Sequence, residues 1–487
     1  MRLAVVSLLA LANLAVAAPP PKEALDLQKH LHDVIEGAKP SVACVLVSRS
    51  ELYAKEFNQG PSAARDGKLG DFRPMSNTRF LDAARRELIK RLDLAYPDTV
   101  PDRFGSGVVI DDGGLILTNF HVIEGATKIF VRLPGTGRGS YADIQAGDPR
   151  ADLAVLKMLH PPVDLKAIPM GDGGKVHQGD WIVSLANPFA AGFKDGNPSA
   201  SWGIISNLRR RTVSGVSEEV KRLKPLSQYG TLLQTDARTN LGCSGGAVLD
   251  MDGKLIGMTT AQAAIEGGEA AGGYAIPMDA NTLKMIDVLK RGEEIEYGLL
   301  GITVNPEDRG DSRGVMIQEA GPGMPAARAG LMARDVVTSI NDNPVREPDD
   351  LFLNISAALA GSKVNIEVLR TGRRVTVAVP LAKAGPGEWG DKAIVSRRHP
   401  PIYGLRVDYA SIRPAGSAPP EGVMVKELEP GSPAFKKLKE GIIVVAVNDQ
   451  PVPTPAKFYE LASGKGSVTL EVVEVGGDSP RRKVTLP

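Results

Sequence analysis

The sequence predicts a mainly β protein, with one large all-β region followed by two copies of a smaller strand-rich unit. Two observations predict it. From about Pro40 to Ala280, short β-branched runs recur between Gly, Asn and Asp turns, among them "SVACVLV", "LILTNFHVI", "KIFVRL", "WIVSLA" and "KLIGMTT". Many short strands at close spacing mean a barrel or a sandwich. In the C-terminal third, "GVMIQEAGPGMPAARAGLMARDVVTSINDNPV" from Gly314 returns as "GVMVKELEPGSPAFKKLKEGIIVVAVNDQPV" from Gly422. The two openings lie 108 residues apart, which fits two domains of roughly 90 residues and not a solenoid with repeats of ~20–50.

Taken in order, the chain of 487 residues is too long for one ordinary core. It opens with "MRLAVVSLLALANLAVAAPPPK", where Arg2, an apolar run through Ala17 and a small-residue site follow one another. That order reads as a secretory signal over residues 1–18. The mature chain is therefore expected to be periplasmic or secreted, with no transmembrane segment after cleavage, because no later apolar run is long enough to span. The β region is expected over 38–292. Residues 49–103 interrupt it as a mainly polar insertion in which "SNTRFLDAARRELIKRLDLAYPD" reads as an amphipathic helix. Ser76, Asn77 or Thr78 is the expected cap, and Leu81, Leu88 and Leu92 fall on one face, expected to pack on the insertion's own domain. The repeated units are expected over 296–382 and 400–487. Each reads strand, Gly/Pro turn, short helix, strand, Asn-Asp turn, helix and two strands. Between them, 383–399 ("KAGPGEWGDKAIVSRRH") reads as a linker.

Charge excludes some partners. Lys plus Arg number 58 and Asp plus Glu 57, a formal +1, which is no footprint for nucleic acid or an anionic membrane. "PGTGRGS" contains Gly-x-Gly but no helix opens after it, so it reads as a hairpin and not a nucleotide loop. No motif implies a metal or a cofactor. The two cysteines, Cys44 and Cys243, are expected as unpaired thiols.

One stretch carries chemistry. "TNLGCSGGAV", Thr239 to Val248, sets Cys243 beside Ser244 in a glycine-rich turn. Acyl transfer by serine needs a neutral imidazole to take the hydroxyl proton, a carboxylate to hold that imidazole, and backbone N–H groups for the oxyanion. Of six histidines, only His121 lies at the end of a strong strand in the β region, in "GGLILTNFHVIEGA". "AGDPRADLAVLK" offers two carboxylates. Asp148, before Pro149, reads as a turn residue, and Asp152 opens an apolar strand. Each of these residues alone has a bland reading, as a hairpin, a structural histidine or a strand-initiating aspartate. Together, His121, Asp152 and Ser244 follow the order of trypsin-like enzymes.

"GSGVVIDDGGLILTNFHVI", "ADLAVLK", "GDWIVSLANPF", "WGIIS", "LLQTDARTNLGCSGGAVLDMDGKLIGMTT" and "GGYAIPM" together resemble the protease domain of the HtrA/Deg family, and the repeats resemble its PDZ domains. The resemblance implies a trypsin-like double β-barrel that assembles at least into trimers. It implies ATP-independent cleavage of unfolded or misfolded polypeptides outside the cytoplasm. Carried over, Ser244 is the nucleophile, His121 the general base and then acid, and Asp152 the orienting carboxylate. The amides of Gly242 and Ser244 form the oxyanion hole, and Met258, Thr259, Thr260, Ala261 and Gln262 line the substrate chain. Cys243 is expected to point into the domain. The sequence departs from the family at Leu241 (usually Pro), Cys243 (usually Asn) and Gln262 (usually aliphatic), so a catalytically weak chaperone or peptide-binding scaffold is the alternative. The PDZ loops expected to hold a peptide's terminal carboxylate are Leu299-Leu300-Gly301-Ile302 and Ile402-Tyr403-Gly404-Leu405. The second unit departs again, with Gly441-Ile442 where Gly-Asp is usual. The expected partners are unfolded polypeptides, peptide C-termini and further copies of the chain.

Overall fold

The computed structural model describes residues 21–53, 66–71, 82–135, 137–190, 192–210, 232–260, 273–305, 314–356, 358–385, 392–412, 421–464, 466–474 and 480–487. The expected signal segment, Leu81, and the three expected caps Ser76, Asn77 and Thr78 lie outside them.

The large β region is two barrels. The first is built from β1 (Val42–Ser48), β2 (Arg103–Asp111), β3 (Leu115–Thr118), β4 (Lys128–Arg132), β5 (Gly139–Asp148) and β6 (Leu153–Met158). Its order is β5-β4-β1-β2-β3-β6, and pairing of β5 with β6 closes it. The second barrel holds β7 (Trp181–Ala186), β8 (Ser199–Arg210), β9 (Leu232–Thr235), β10 (Ala247–Leu249), β11 (Leu255–Thr260) and β12 (Gly273–Pro277). It closes in the order β10-β11-β12-β9-β8-β7.

β1 is buried along its whole length, and strand alternation explains how. Ala43, Val45 and Val47 face the barrel interior with Ile116, Ile129 and Leu156. Cys44 and Leu46 face outward, under Tyr53, Ile89, Leu92 and Leu94 of the insertion. The insertion is thus a second layer on the first barrel, as its amphipathic face predicts. Its helix runs Ala83–Leu92, and the cap is Asp82, whose carboxylate accepts from the Arg85 amide. Where the barrels meet, Val108, Leu117 and Val155 of one share a core with Val183, Leu185, Ala247 and Met258 of the other. The helix Lys22–Ala38 closes that core with Val34 and Ala38. Each Val, Leu or Met among them contributes about 1.5–3 kcal/mol on burial, so the junction that will carry the site has an apolar floor.

Two small units follow. The first pairs β13 (Gly298–Leu299) with β20 (Ala382–Lys383) and builds a sheet from β14 (Ile302–Val304), β15 (Val315–Ala320), β16 (Val336–Ile340), β17 (Asn343–Pro344), β18 (Lys363–Arg370) and β19 (Arg373–Pro380). That sheet runs β14-β15-β16-β18-β19, with β17 beside β16. Next in the chain comes β21 (Ile394–Val395). The second unit has β22 (Leu405–Tyr409), β23 (Val423–Leu428), β24 (Ile443–Val447), β25 (Gln450–Pro451), β26 (Val468–Val473) and β27 (Arg482–Leu486). Its order is β22-β23-β24-β26-β27 with β25 beside β24, the same plan. In both units the Asn-Asp pair adopts positive φ at both residues, Asn341-Asp342 and Asn448-Asp449, the two-residue turn that matches strand twist.

The stretch read as a linker is not a free tether. β4 covers only Gly139 to Tyr141 of β5, and β21 takes Gly147 and Ala146 by pairing through Ile394 and Val395. An unpaired strand edge is a template for added chain, and here the chain between the small units fills it.

Candidate active site

β3 ends at Thr118, and a single helical turn, Phe120–Ile123, carries His121 off the rim of the first barrel. β6 begins at Leu153. Asp152, just before it, is 1% exposed and sits at φ 53, a left-handed conformation in a residue with a side chain. Such a position persists only where the surroundings over-determine it. They do. Its carbonyl accepts from the Phe120 amide at 3.2 Å and from Asn119 Nδ2 at 3.0 Å. Its carboxylate accepts from Asn119 Nδ2 at 3.1 Å and from the His121 amide at 3.0 Å. The remaining contact is His121 Nδ1 to Asp152 Oδ2, at 2.8 Å. Burial pulls the imidazolium of His121 down; the charge and hydrogen bond of Asp152 outweigh it, and the net shift is upward. Glu124 adds to the rise, and Arg103 opposes it. Asn119 was visible in the sequence only as a small polar residue at a strand end, and its side chain is what orients the carboxylate.

Ser244 lies in the turn between β9 and β10 and is 4% exposed. The four carbonyls of residues 241–244 are each held from outside the turn. Phe189 N–H donates to Leu241 O at 2.6 Å, Ser106 Oγ to Gly242 O at 2.8 Å, Thr259 Oγ1 to Cys243 O, and Ser106 N–H to Ser244 O at 2.8 Å. In a trans peptide the C=O and N–H point opposite ways. Pinning Leu241 O therefore turns the Gly242 amide away from Phe189, and pinning Cys243 O turns the Ser244 amide away from β11. Gly242 has φ 94, and a Cβ there would lie 2.6 Å from Asn187 O. Only glycine fits that close approach.

The histidine and serine segments meet over Gly105. A Cβ on Gly105 would lie 2.7 Å from Val122 Cγ1 and 3.2 Å from Ser244 O. Asn187 is fully buried; its amide donates to Ser106 Oγ at 2.8 Å and its Nδ2 to Ala43 O at 3.0 Å. Sequence reasoning missed Ser106 and Asn187, whose one signal is a polar residue inside the apolar runs "GSGVVI" and "SLANPF".

The neighbouring expected residues divide. Met258 is buried in the shared core, and Thr259 spends its hydroxyl on Cys243 O. Thr260 is buried, and Ala261 and Gln262 lie outside the described residues. Cys243 points inward as expected: it is 3% exposed, and its sulfur accepts from the Asn240 amide at 3.3 Å. Cys44 and Cys243 are both free thiols. In the first small unit, Leu300 O and Gly301 O accept from the amides of Ala326 and Gly321. In the second, Tyr403 O and Gly404 O accept from Ala434 and Glu429, and Ile402 and Leu405 additionally bond to each other through both amides. The Leu405 amide is thereby used inside its own loop.

This arrangement has known counterparts. The trypsin-like peptidase domain family matches residues 105–258, and the class is that of a trypsin-like serine endopeptidase. The PDZ domain family matches residues 298–381. The periplasmic serine endoprotease DegP of Salmonella typhimurium is 33% identical over 387 residues, covering 77% of this chain and 75% of the relative. The periplasmic pH-dependent serine endoprotease DegQ of Escherichia coli is 32% identical, covering 79% and 82%. The HtrA-type protease AlgW, solved with a tripeptide, is similar with a TM-score of 0.50 at 25% identity, over 74% of this chain and 99% of that one. The chain belongs to the HtrA/Deg family of serine endoproteases.

Proposed function

We propose that the chain hydrolyses peptide bonds of unfolded polypeptides with Ser244 as nucleophile, His121 as general base and then acid, and Asp152 as the carboxylate that fixes the imidazole. The observation that carries it is the 2.8 Å contact between His121 Nδ1 and the buried Asp152. With Nδ1 engaged, the proton from Ser244 Oγ goes to Nε2, and the imidazolium then gives it to the leaving amine. The amides of Gly242 and Ser244, oriented by the pinned Leu241 and Cys243 carbonyls, stabilise the oxyanion. The similarity to periplasmic DegP and DegQ supports a place outside the cytoplasm. Among the described residues no helix is long and apolar enough to cross a membrane. The small units bind extended peptides by adding them as a strand, and the chain works as a homo-oligomer. Incubation with an unfolded polypeptide and a fluorophosphonate tests this. Cleavage with label on Ser244 is expected; a folded protein that shows neither would sink the peptidase mechanism.

One observation favours a weaker catalyst. A sulfur acceptor at 3.3 Å is all that Cys243 offers the Asn240 amide inside the nucleophile turn. If the chain acts as a scaffold instead, Ser244→Ala retains its full effect on substrate aggregation.

A further inference from the structure

The turn that carries Asp152 is gripped from outside the barrels. β5 ends at Asp148, and Asp148 Oδ1 accepts from the Ala151 amide at 2.8 Å, closing the turn one residue before Asp152. The same oxygen accepts the Tyr297 hydroxyl at 2.7 Å. Tyr297 is 4% exposed and immediately precedes β13, the first strand of the first small unit. Arg150, inside the turn, lays its guanidinium over the Tyr297 ring, 4.6 Å from the centroid. Its Nη2 also donates to the Gly385 carbonyl at 3.3 Å. Gly385 lies just past β20, where the chain leaves that unit, and the Ala384 amide donates to Tyr297 O at 2.8 Å. Both ends of the first small unit therefore hold one turn. Beside them, β21 caps Ala146 and Gly147, and the Ser396 amide donates to Gln145 O at 3.2 Å.

Asp152 sits in the left-handed region, and release of its restraints favours relaxation of φ. Asn119 and Phe120 restrain it from within the barrel, while Asp148, Tyr297 and Arg150 restrain the preceding residues from without. Proton transfer tolerates little error: a misplacement of ~1 Å costs about 100-fold.

We propose that Tyr297 and Arg150 are positioning residues, and that docking of the first small unit's two ends on the Asp148–Asp152 turn holds the aspartate against His121. Displacing that unit then weakens the peptidase without any contact to substrate. The inference rests on the triad reading above.

Tyr297→Phe and Arg150→Lys in the full chain test it. The first removes one hydroxyl; the second keeps the charge, removes the planar contact with the ring, and serves if the first does not fold. Expected is a kcat lower by about tenfold to a hundredfold, with KM within about twofold and the melting temperature little moved. The His121 ring, followed by NMR in 13C-histidine-labelled protein, is expected to titrate at lower pH. The charged groups facing the ring are Asp152, Glu124 and Arg103, and of these Asp152 alone sits on the turn. Folded variants with the parent's kcat and the parent's His121 titration overturn the proposal. A parent that neither cleaves nor takes the fluorophosphonate overturns the peptidase reading alone, and the His121 titration still decides the positioning role.

Discussion

Ser106 Oγ donates to the carbonyl of Gly242 across 2.8 Å, from a strand of the first barrel to the turn of the second that carries Ser244. The same hydroxyl accepts the Asn187 amide at 2.8 Å, and the Ser106 amide donates to Ser244 O. Thr118 Oγ1 in turn donates to Ser106 O at 2.7 Å. One serine thus couples the strand that leads to His121 to the backbone of the Ser244 turn.

Ser106→Ala is expected to leave Gly242 O and the Asn187 amide without partners in a buried site, a loss of about 1–3 kcal/mol for each group left unsatisfied. Gly242 O belongs to the peptide that links the two proposed oxyanion donors, so with it unpinned both donors loosen and kcat is expected to fall by about tenfold to a hundredfold, less than the loss on deleting an oxyanion donor itself. Urea midpoints and steady-state cleavage of one peptide measure both. An unchanged kcat in a destabilised protein would count against the oxyanion role.

Asp152→Asn keeps the side chain's shape and reverses its hydrogen-bond character toward His121 Nδ1. The imidazole then settles in the wrong tautomer, and kcat is expected to drop about 10⁴-fold. Fluorophosphonate labelling of Ser244 should slow in parallel. Labelling at the parent's rate would remove Asp152 from the mechanism.

In the proposed mechanism His121 is a base only when neutral; burial lowers its pKa, but Asp152 outweighs burial and the net shift is upward. Activity is therefore expected to fall with decreasing pH through a midpoint above the ordinary ~6.5. A kcat/KM profile with its acid limb below that value would contradict the geometry.

Burial pushes the Asp148 carboxyl up to about 6 from 3.8, against the opposing pull of the Ala151 amide, Tyr297 and Arg150. Between those values the folded state holds a proton that the unfolded state has released, so this group's contribution to stability grows as pH falls. The parent is expected to gain up to about 3 kcal/mol on Asp148→Asn between pH ~6 and ~4. Chemical denaturation of both proteins across that window reads the difference, and parallel curves would refute it.

Burial raises both thiols, Cys44 to about 12. Thiolate is the reactive form, so iodoacetamide at pH ~8 is expected to modify neither cysteine until the protein is unfolded. For the same reason Ser244→Ala should show no residual cleavage through the adjacent Cys243. Rapid alkylation of the native protein, read by mass, would show the turn to be open.

Much of the chain was legible in its sequence because the signals are local. Alternation along "SVACVLV", glycines around Ser244, Asn-Asp turns and a repeat of matched strands each depend on neighbours within a few residues. The order of His121, Asp152 and Ser244 also pointed to one chemistry. The helix of the insertion was legible, but its start was not: the cap is Asp82, because an Asp accepts an amide three residues on as well as a Ser or Thr does.

Residue order alone specifies which elements form, which residue types are available for acyl transfer, and which family the motifs resemble. Tertiary structure alone decided how the turn around Ser244 is held, because Ser106 and Gly242 are 136 positions apart and no periodicity links them. It also decided that the stretch read as a tether lies on β5 and that Tyr297 reaches Asp148. Those contacts depend on which strand edge is left open and which buried carboxylate needs a donor, and both exist only once the barrels have closed.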